Sequence, residues 1–437
     1  MEEVDVLVVG GGLLGFASAY HIKSRDRASR VLLVDRYGAP GQGNTGRSNA
    51  MFRNTFSSKD NQILSDSSIN FYLDVQERSQ EDIGLQQIGY LWLMDESRLS
   101  SSEKYLQEMA RNGVETRKFG QARLRALLSG LAPDGTGGAG TDVLRLPKVD
   151  WGIFGPKCGR LDPDKLVRYY AKMFTALGGK VGFNTEAERL VPGPRERLGI
   201  GGEPLPWQEW SIEEVELRGG VSGRVKPGTV VLACGAWGNE LLGPLGIDGH
   251  VKAKKRQLFS VPSTSKGLGD LLRTKEFNKF GLLPMTILPK AGVHFKPVSE
   301  EGAFWVGCED EVGRPFIESP DRDLSVYGAE PEYFQKGIKP VLAGYFPAFE
   351  GATVKAMWAG LYSYNTTDYL PFVFRENNLI AVGGDSGSGI MKGDSLGRIV
   401  AATCREEDQA VLFGGHEYSV SKLGFRKRDV EREEWVL

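Results

Sequence analysis

The stretch VDVLVVGGGLLGFASAYHIKSRDRASRVLLVDR, residues 4–36, constrains the fold more tightly than any other part of the chain. Val4 to Val9 is apolar except at Asp5, the pattern of a strand buried on both faces of a parallel sheet. Gly12 to His21 reads as a helix and Val31 to Val34 as the next buried strand, so the chain opens with one βαβ unit. Within Gly10-x-Gly12-x-x-Gly15 the first glycine permits the tight turn and the second lets a pyrophosphate approach the backbone. The third lets helix and strand pack closely, which leaves the phosphate at the helix N-terminus. Asp35 ends the second strand twenty residues beyond Gly15, where a carboxylate accepts hydrogen bonds from an adenosine ribose. The expectation is a bound dinucleotide, and an acid at position 35 disfavours NADP.

At 437 residues the chain exceeds one compact core, and two to three domains are expected. Thr229 to Cys234 and Leu379 to Val382 are further apolar runs ending in glycine turns before helices, so one parallel-sheet domain is assembled from separated segments. Between them, Leu85 to Met94 and Val251 to Cys308 are rich in β-branched and aromatic residues with turn signals, as in an antiparallel sheet. The predicted fold is α/β: a Rossmann-type cofactor domain at 1–84, 150–248 and 355–437, with an inserted, mostly antiparallel α+β substrate domain at 85–149 and 249–354. Two glycine-rich loops, around Gly130 to Gly140 and from Val191, are expected to be mobile. The C-terminal EEWVL reads either as a frayed end or as a short amphipathic cover.

Fifty-four Lys and Arg against 56 Asp and Glu create no field that would favour nucleic acid or an anionic membrane. Four scattered cysteines and four scattered histidines show no disulfide framework and no metal-ligand spacing, so no metal is expected. Acids at the N-terminus argue against a secretory signal, and no apolar run is long enough to span a membrane. A cytoplasmic protein acting on a small molecule is expected, with peripheral membrane attachment and homo-oligomer formation left open.

The next segment, RYGAPGQGNTGRSNAMFRNTF, replaces the prompt second crossover helix of a nicotinamide fold with a glycine- and arginine-bearing loop. Here the chain resembles the flavoproteins of the D-amino-acid oxidase class, on the branch of sarcosine oxidase and its β subunit, glycine oxidase, dimethylglycine dehydrogenase and dye-linked proline dehydrogenase. Gly43-Asn44-Thr45-Gly46-Arg47 followed by Met51-Phe52-Arg53 is especially similar to the pattern of sarcosine oxidase β subunits and proline dehydrogenase. GRLDPDKLVRYYAKMF from Gly159, VVLACGAWGNELL, VHFKP from Val293 and MWAGLYSYNTTDYLPFV from Met357 continue the resemblance in order. In GGDSGSGIMKGDSLGR, glycines 383, 384, 387, 389 and 393 separate a strand from a helix, so backbone N–H groups and a helix N-terminus face the negative charge of a reduced flavin.

The resemblance implies non-covalent FAD, because Leu361 stands where monomeric sarcosine oxidase carries its flavin-linking cysteine. It implies a cofactor site of Gly10, Gly12, Leu14, Gly15, Asp35, Arg36, Gly43, Asn44, Thr45, Gly46, Arg47, Ser48, Ala187, Ala233, Gly235, Trp237, Gly384, Gly387, Gly389, Ile390, Met391 and Lys392. It also implies oxidation of an amine to an imine by hydride transfer to the flavin. Arg53 is the expected carboxylate anchor, since its planar fork matches a carboxylate. Sarcosine oxidases pair this arginine with a lysine; the matching position here is Met391, with Lys392 one residue along and so rotated by ~100° at a helix start. Met391 suits an apolar ring, and Tyr362 is a candidate to enclose substrate. His294 and Lys296 lie on a substrate-domain strand with no role assigned, and no oxygen-activating lysine is identified, which favours a quinone or artificial dye as electron acceptor. The leading expectation is an L-proline dehydrogenase. The alternatives are a sarcosine or glycine oxidase, a non-catalytic FAD-binding assembly protein and, more distantly, a nicotinamide dehydrogenase.

Overall fold

A computed structural model describes residues 2–79, 81–309 and 313–435. Two eight-stranded sheets organise it. In the first, Glu2–Val9 pairs in parallel with Val31–Val34 on one side and Gly223–Leu232 on the other, and Leu379–Gly383 and Lys180–Gly182 extend the parallel set. Phe372–Glu376 closes one edge in antiparallel pairing, and the Thr185–Pro194 and Trp210–Gly219 hairpin joins alongside Gly223–Leu232. Strand alternation explains the apolar run: Val8 enters one hydrophobic cluster while Leu7 and Val9 enter another across the sheet.

Helices Leu13–Arg25, Lys59–Arg78, Pro163–Ala176 and Gly393–Cys404 supply residues to the cluster on the Val8 face. Local chemistry sets their starts. Asp162 caps the N–H groups of Asp164 and Lys165 with Pro163 at the first helical position, and the Ser58 hydroxyl accepts from the Asn61 N–H.

The second sheet runs Ala356–Asn365, Val251–Pro262, Ala303–Gly307, His294–Val298, Met285–Ile287, Tyr90–Met94, Trp151–Gly155 and Arg117–Gly120. Only the pairing of Met285–Ile287 with Tyr90–Met94 is parallel. Two strands that sequence reading allots to the cofactor segments belong here. Trp151–Gly155 pairs with Tyr90–Met94, and Ala356–Asn365 pairs along its whole length with Val251–Pro262. Their glycine and aromatic content does not distinguish the sheets; long-range partners do.

The 130–140 loop is held rather than loose: Ala132 and Gly137 donate backbone N–H groups to the Tyr345 and Gly344 carbonyls, and Val149 donates to that of Pro133. A Cβ on Gly137 would come 2.5 Å from the Pro347 ring, so the loop needs glycine for close approach. The stretch from Val191 begins inside a paired strand, and Leu198, Ile200 and Trp207 at the hairpin end are exposed. Among the described residues, no helix is long and apolar enough to cross a membrane.

Candidate functional site

A cavity of about 760 Å³ is lined by residues of both sheets. One end is built from backbone. Gly10 sits at φ +110°, and an added Cβ would lie 2.4 Å from the Ala233 carbonyl oxygen; a Cβ on Gly15 would lie 1.8 Å from the Gly10 oxygen. The turn therefore excludes side chains at both positions. The helix that follows has Gly12 as its cap and no side-chain capping bond, so its first N–H groups face the cavity end with only the Thr45 hydroxyl accepting, from Leu13 at 3.2 Å.

The Asp35 carboxylate accepts from Gly11 N–H at 2.5 Å and Tyr37 N–H at 2.8 Å, and burial pushes its carboxyl above the usual range. Beside it the Arg36 guanidinium lies 4.7 Å from the Trp237 ring centroid, with a buried Nη1 that has no protein partner. A dinucleotide phosphate or adenine would satisfy that donor, so the residues present fit the expected cofactor. Asn49 Oδ1, a second buried orphan on the same cavity, supplies an acceptor further in.

Of the residues expected to touch a cofactor, Gly10, Gly12, Leu14, Asp35, Arg36, Gly43, Asn44, Thr45, Arg47 and Ser48 line this cavity. So do Ala187, Ala233, Gly235, Trp237, Gly387, Gly389, Ile390, Met391 and Lys392. Gly15, Gly46 and Gly384 stand behind the lining. A Cβ on Gly46 would approach the Gly41 oxygen at 2.9 Å, and Gly384, at φ +61°, packs against the Phe372 ring, so these glycines shape turns rather than form a surface. Arg47 spans the domains by donating to the Leu324 and Ala359 carbonyls, and Asn44 accepts from the Leu361 N–H at 2.8 Å.

The other end is built from side chains. The terminal glycine motif forms a short 3₁₀ turn, Gly389–Lys392, before the Gly393–Cys404 helix. Tyr362 packs against Gly387, where a Cβ would sit 2.1 Å from its ring, and burial pushes its phenol up to about 12. Both Met391 and Lys392 line the cavity. Lys392 is 1% exposed, its Nζ donates to Ser388 Oγ at 2.5 Å, and burial pulls it down to about 7.

Arg53 reaches the cavity with two of its nitrogens engaged: Nη1 gives a hydrogen bond to the Thr55 carbonyl at 2.9 Å and Nη2 to the Trp435 carbonyl at 3.0 Å. Its guanidinium also lies 4.2 Å from the Phe56 ring centroid. The tail that carries Trp435 is not a frayed end. The Glu433 carboxylate accepts from Ser57 N–H and Oγ, Ser58 N–H and Asn61 Nδ2 at 2.8–3.2 Å, which sets an anion at the start of the Lys59–Arg78 helix. Trp435 is buried edge-on to Trp92 at 5.7 Å. Val436 and Leu437, the end of the EEWVL stretch, lie outside the described residues.

Sequence reading missed Arg256, Leu258, Met285, Tyr364, Tyr369 and the tail acids Glu433 and Glu434, all of which line the cavity. Tyr364 and Tyr369 lie in the run from Met357 and the two acids in the terminal EEWVL, but neither stretch marks them individually, and no motif covers Arg256, Leu258 or Met285; only the fold brings these segments together. His294 lines the cavity too, with burial pulling it down to about 4, whereas Lys296 donates from behind to the Asn49 carbonyl at 2.5 Å.

A family model described as FAD dependent oxidoreductase (DAO) matches residues 5–403. The chain is 25% identical to FAD-dependent oxidoreductase domain-containing protein 1 of Xenopus laevis, over 98% of this chain and 83% of that protein. Among solved structures, the fold is similar to that of L-proline dehydrogenase from P. horikoshii, with 21% identity, a TM-score of 0.71 and coverage of 93% of this chain and 94% of that one. It is also similar to that of an L-amino acid deaminase from Proteus myxofaciens in complex with anthranilate, with 15% identity, a TM-score of 0.72 and coverage of 98% and 94%.

Proposed function

Because the chain belongs to the DAO family of FAD-dependent oxidoreductases, we propose that it is an amino-acid dehydrogenase that oxidises a C–H beside a secondary amine, with L-proline as the first substrate to test. The cofactor is FAD. The observation that carries the reading is one continuous cavity, with a backbone turn and acid at one end and a chamber of cations, phenols and thioether at the other. The chemistry FAD supplies when bound is two-electron acceptance, which converts an amine C–H into an imine.

The roles assigned to this chain's residues follow from their surroundings. Met391, Met285 and Leu258 offer an apolar wall for a ring or alkyl side chain. Tyr362 stays protonated at neutral pH, so it donates a hydrogen bond or encloses substrate without adding charge. Lys392, held near 7 by burial, is partly unprotonated at neutral pH and takes the proton that an incoming ammonium must lose before its C–H can be oxidised. Arg53 acts from the wall, tying the tail across the chamber. The name of the P. horikoshii neighbour and the methionine-lined wall support proline.

The test is anaerobic bleaching of the yellow holoenzyme by a panel of L-proline, sarcosine, glycine and primary L-amino acids, followed by admission of air or of a dye. Bleaching by proline with recovery only through the dye supports a proline dehydrogenase. Bleaching by sarcosine alone moves the assignment to a sarcosine oxidase type, and a loaded flavin that no amine bleaches moves it to a non-catalytic FAD-binding role.

A further inference from the structure

We infer that the turn at residues 321–324 is the gate through which the dinucleotide enters and leaves, and that Arg322 is its latch. The inference rests on the FAD site and not on which amine is oxidised. The turn belongs to the segment between Ala303–Gly307 and Ala356–Asn365 of the second sheet, yet it lies against the end of the cavity built from the first. Arg322 lines the cavity there together with Asp35, Tyr37, Glu186, Trp237 and Glu240.

The manner of attachment sets this turn apart from the walls it meets. Thr185–Pro194 and Gly223–Leu232 are fixed by backbone ladders, and the Gly10 N–H donates to the Val34 carbonyl. The 321–324 turn reaches these walls through side chains. Arg322 Nη1 donates to Glu186 Oε1 at 2.9 Å and Nε to Glu240 Oε2 at 2.8 Å, so one guanidinium joins a strand and a helix across the cavity end. Glu186 is itself steadied by Arg218 at 3.1 Å. The Trp237 indole donates to the Asp321 carbonyl at 2.9 Å, the Tyr37 hydroxyl to that of Arg322 at 3.3 Å and Arg47 to that of Leu324 at 3.2 Å. Leu324, 2% exposed, is the apolar plug, clustered with Ala236, Trp237 and Leu361.

The flanks supply the hinges. Ile317 exchanges two backbone hydrogen bonds with Ala253, and the Glu330 N–H donates to Gln257 at 2.7 Å, both partners being on Val251–Pro262. Between these fixed points the turn holds its own shape: Asp323 accepts from the Ser325 N–H, and the Tyr327 hydroxyl accepts from the Asp321 N–H. Opening it costs little. The Arg322 side chain is 46% exposed and its partners 21% and 27%, so water and salt ions replace those contacts. The main apolar loss is at Leu324, and segments with few buried apolar contacts open far more often than the whole chain unfolds.

A gate and a ligand contact differ in kinetics. Loosening a contact quickens release alone and weakens affinity by the same factor. Loosening a gate quickens entry and release together and leaves affinity nearly unchanged.

The test follows exchange of bound FAD for isotopically labelled FAD in the loaded protein, read by mass spectrometry of the retained flavin, and measures Kd by fluorescence titration of apoprotein. In R322Q exchange should be ~10-fold faster, the scale of two half-exposed ion pairs, while Kd stays within ~3-fold of wild type. The E186Q/E240Q variant should match R322Q, and combining all three substitutions should add nothing further. High salt should speed exchange in the wild type and leave R322Q nearly unmoved. R224Q, which removes ion pairs to Glu214 and Glu216 on neighbouring strands, should exchange at the wild-type rate.

The inference is overturned if R322Q exchanges at the wild-type rate, if its Kd weakens by the factor by which exchange quickens, or if R224Q quickens exchange as much. Should R322Q fail to load FAD, E186Q/E240Q and the salt response of the wild type carry the same decision. None of these readouts needs turnover, so a flavin that no amine bleaches would sink the proposed activity and leave the gate to be judged on its own.

Discussion

The two ends of the cavity are made by opposite means. At the dinucleotide end the determinants are main-chain: a glycine turn, an uncapped helix start, and an acid gripping the turn through the Gly11 N–H. Most of its determinants fall within the 26 residues from Gly10 to Asp35. At the substrate end the determinants are side chains from distant segments, among them Arg53 and Phe56, Arg256 and Leu258, Met285, Tyr362 to Tyr369, Met391 and Lys392, and the tail from Arg432. A backbone site tolerates almost no change at its glycines and almost any change around them. A side-chain site can be retuned one residue at a time while the fold stands. The first suits a cofactor that does not vary, the second a substrate that does.

The sharpest way to break this contrast is at Gly15. Gly15→Ala places a methyl 1.8 Å from the Gly10 oxygen, so the turn must open, and FAD affinity should fall by more than ~100-fold, about 2.8 kcal/mol. The flavin-to-protein absorbance ratio after incubation with excess FAD reads this out, and a fully yellow variant would show that the turn can give. Next in size, Asp35→Ala removes the carboxylate that steadies the turn and should weaken FAD by roughly tenfold, about 1.4 kcal/mol, with substrate KM in the residual holoenzyme unchanged. A fluorescence titration of apoprotein with FAD checks it.

At the other end, Glu433→Ala frees the tail by leaving the Ser57 and Asn61 donors unmatched. It should cost about 2 kcal/mol of stability, read from the denaturant midpoint, and raise KM while FAD affinity holds. If FAD affinity fell as far as KM rose, the two ends would not be separable.

The smallest effect lies where the regions meet. Lys296, from the second sheet, donates to the Asn49 carbonyl of the cofactor loop, and burial pulls it from 10.5 to about 7. Between those values the unfolded chain holds the proton and the folded chain does not. This group's cost to stability is thus complete below about pH 7, shrinks as pH rises, and vanishes above 10.5. Lys296→Met should flatten that upward slope in urea midpoints measured across the window, and an unchanged slope would assign it to other groups.

Legibility in the sequence follows the same division. The βαβ opening, the Val31–Val34 strand and the glycine turn could be read because strand period, helix period and glycine sterics are properties of consecutive residues. The glycine motif from Gly383 was readable for the same reason. The sheet to which Trp151–Gly155 and Ala356–Asn365 belong could not be read, since it depends on pairing with Tyr90–Met94 and Val251–Pro262, far away in the chain. Lys392 shows the limit at a single residue. A one-residue offset rotates its side chain by ~100° or more from that of Met391, which leaves its direction open in the sequence, and both Met391 and Lys392 line the cavity.

By itself the amino-acid order determined that a dinucleotide end would exist and where its turn would lie, because an L side chain cannot occupy those backbone positions wherever the rest of the chain goes. Only the tertiary structure decided that Arg53 would donate to the Trp435 carbonyl of the tail and that Arg256 would donate to the Tyr364 hydroxyl. Guanidinium groups at 53 and 256 are chemically identical, and what separates them is the burial and the partners that the assembled fold brings to each.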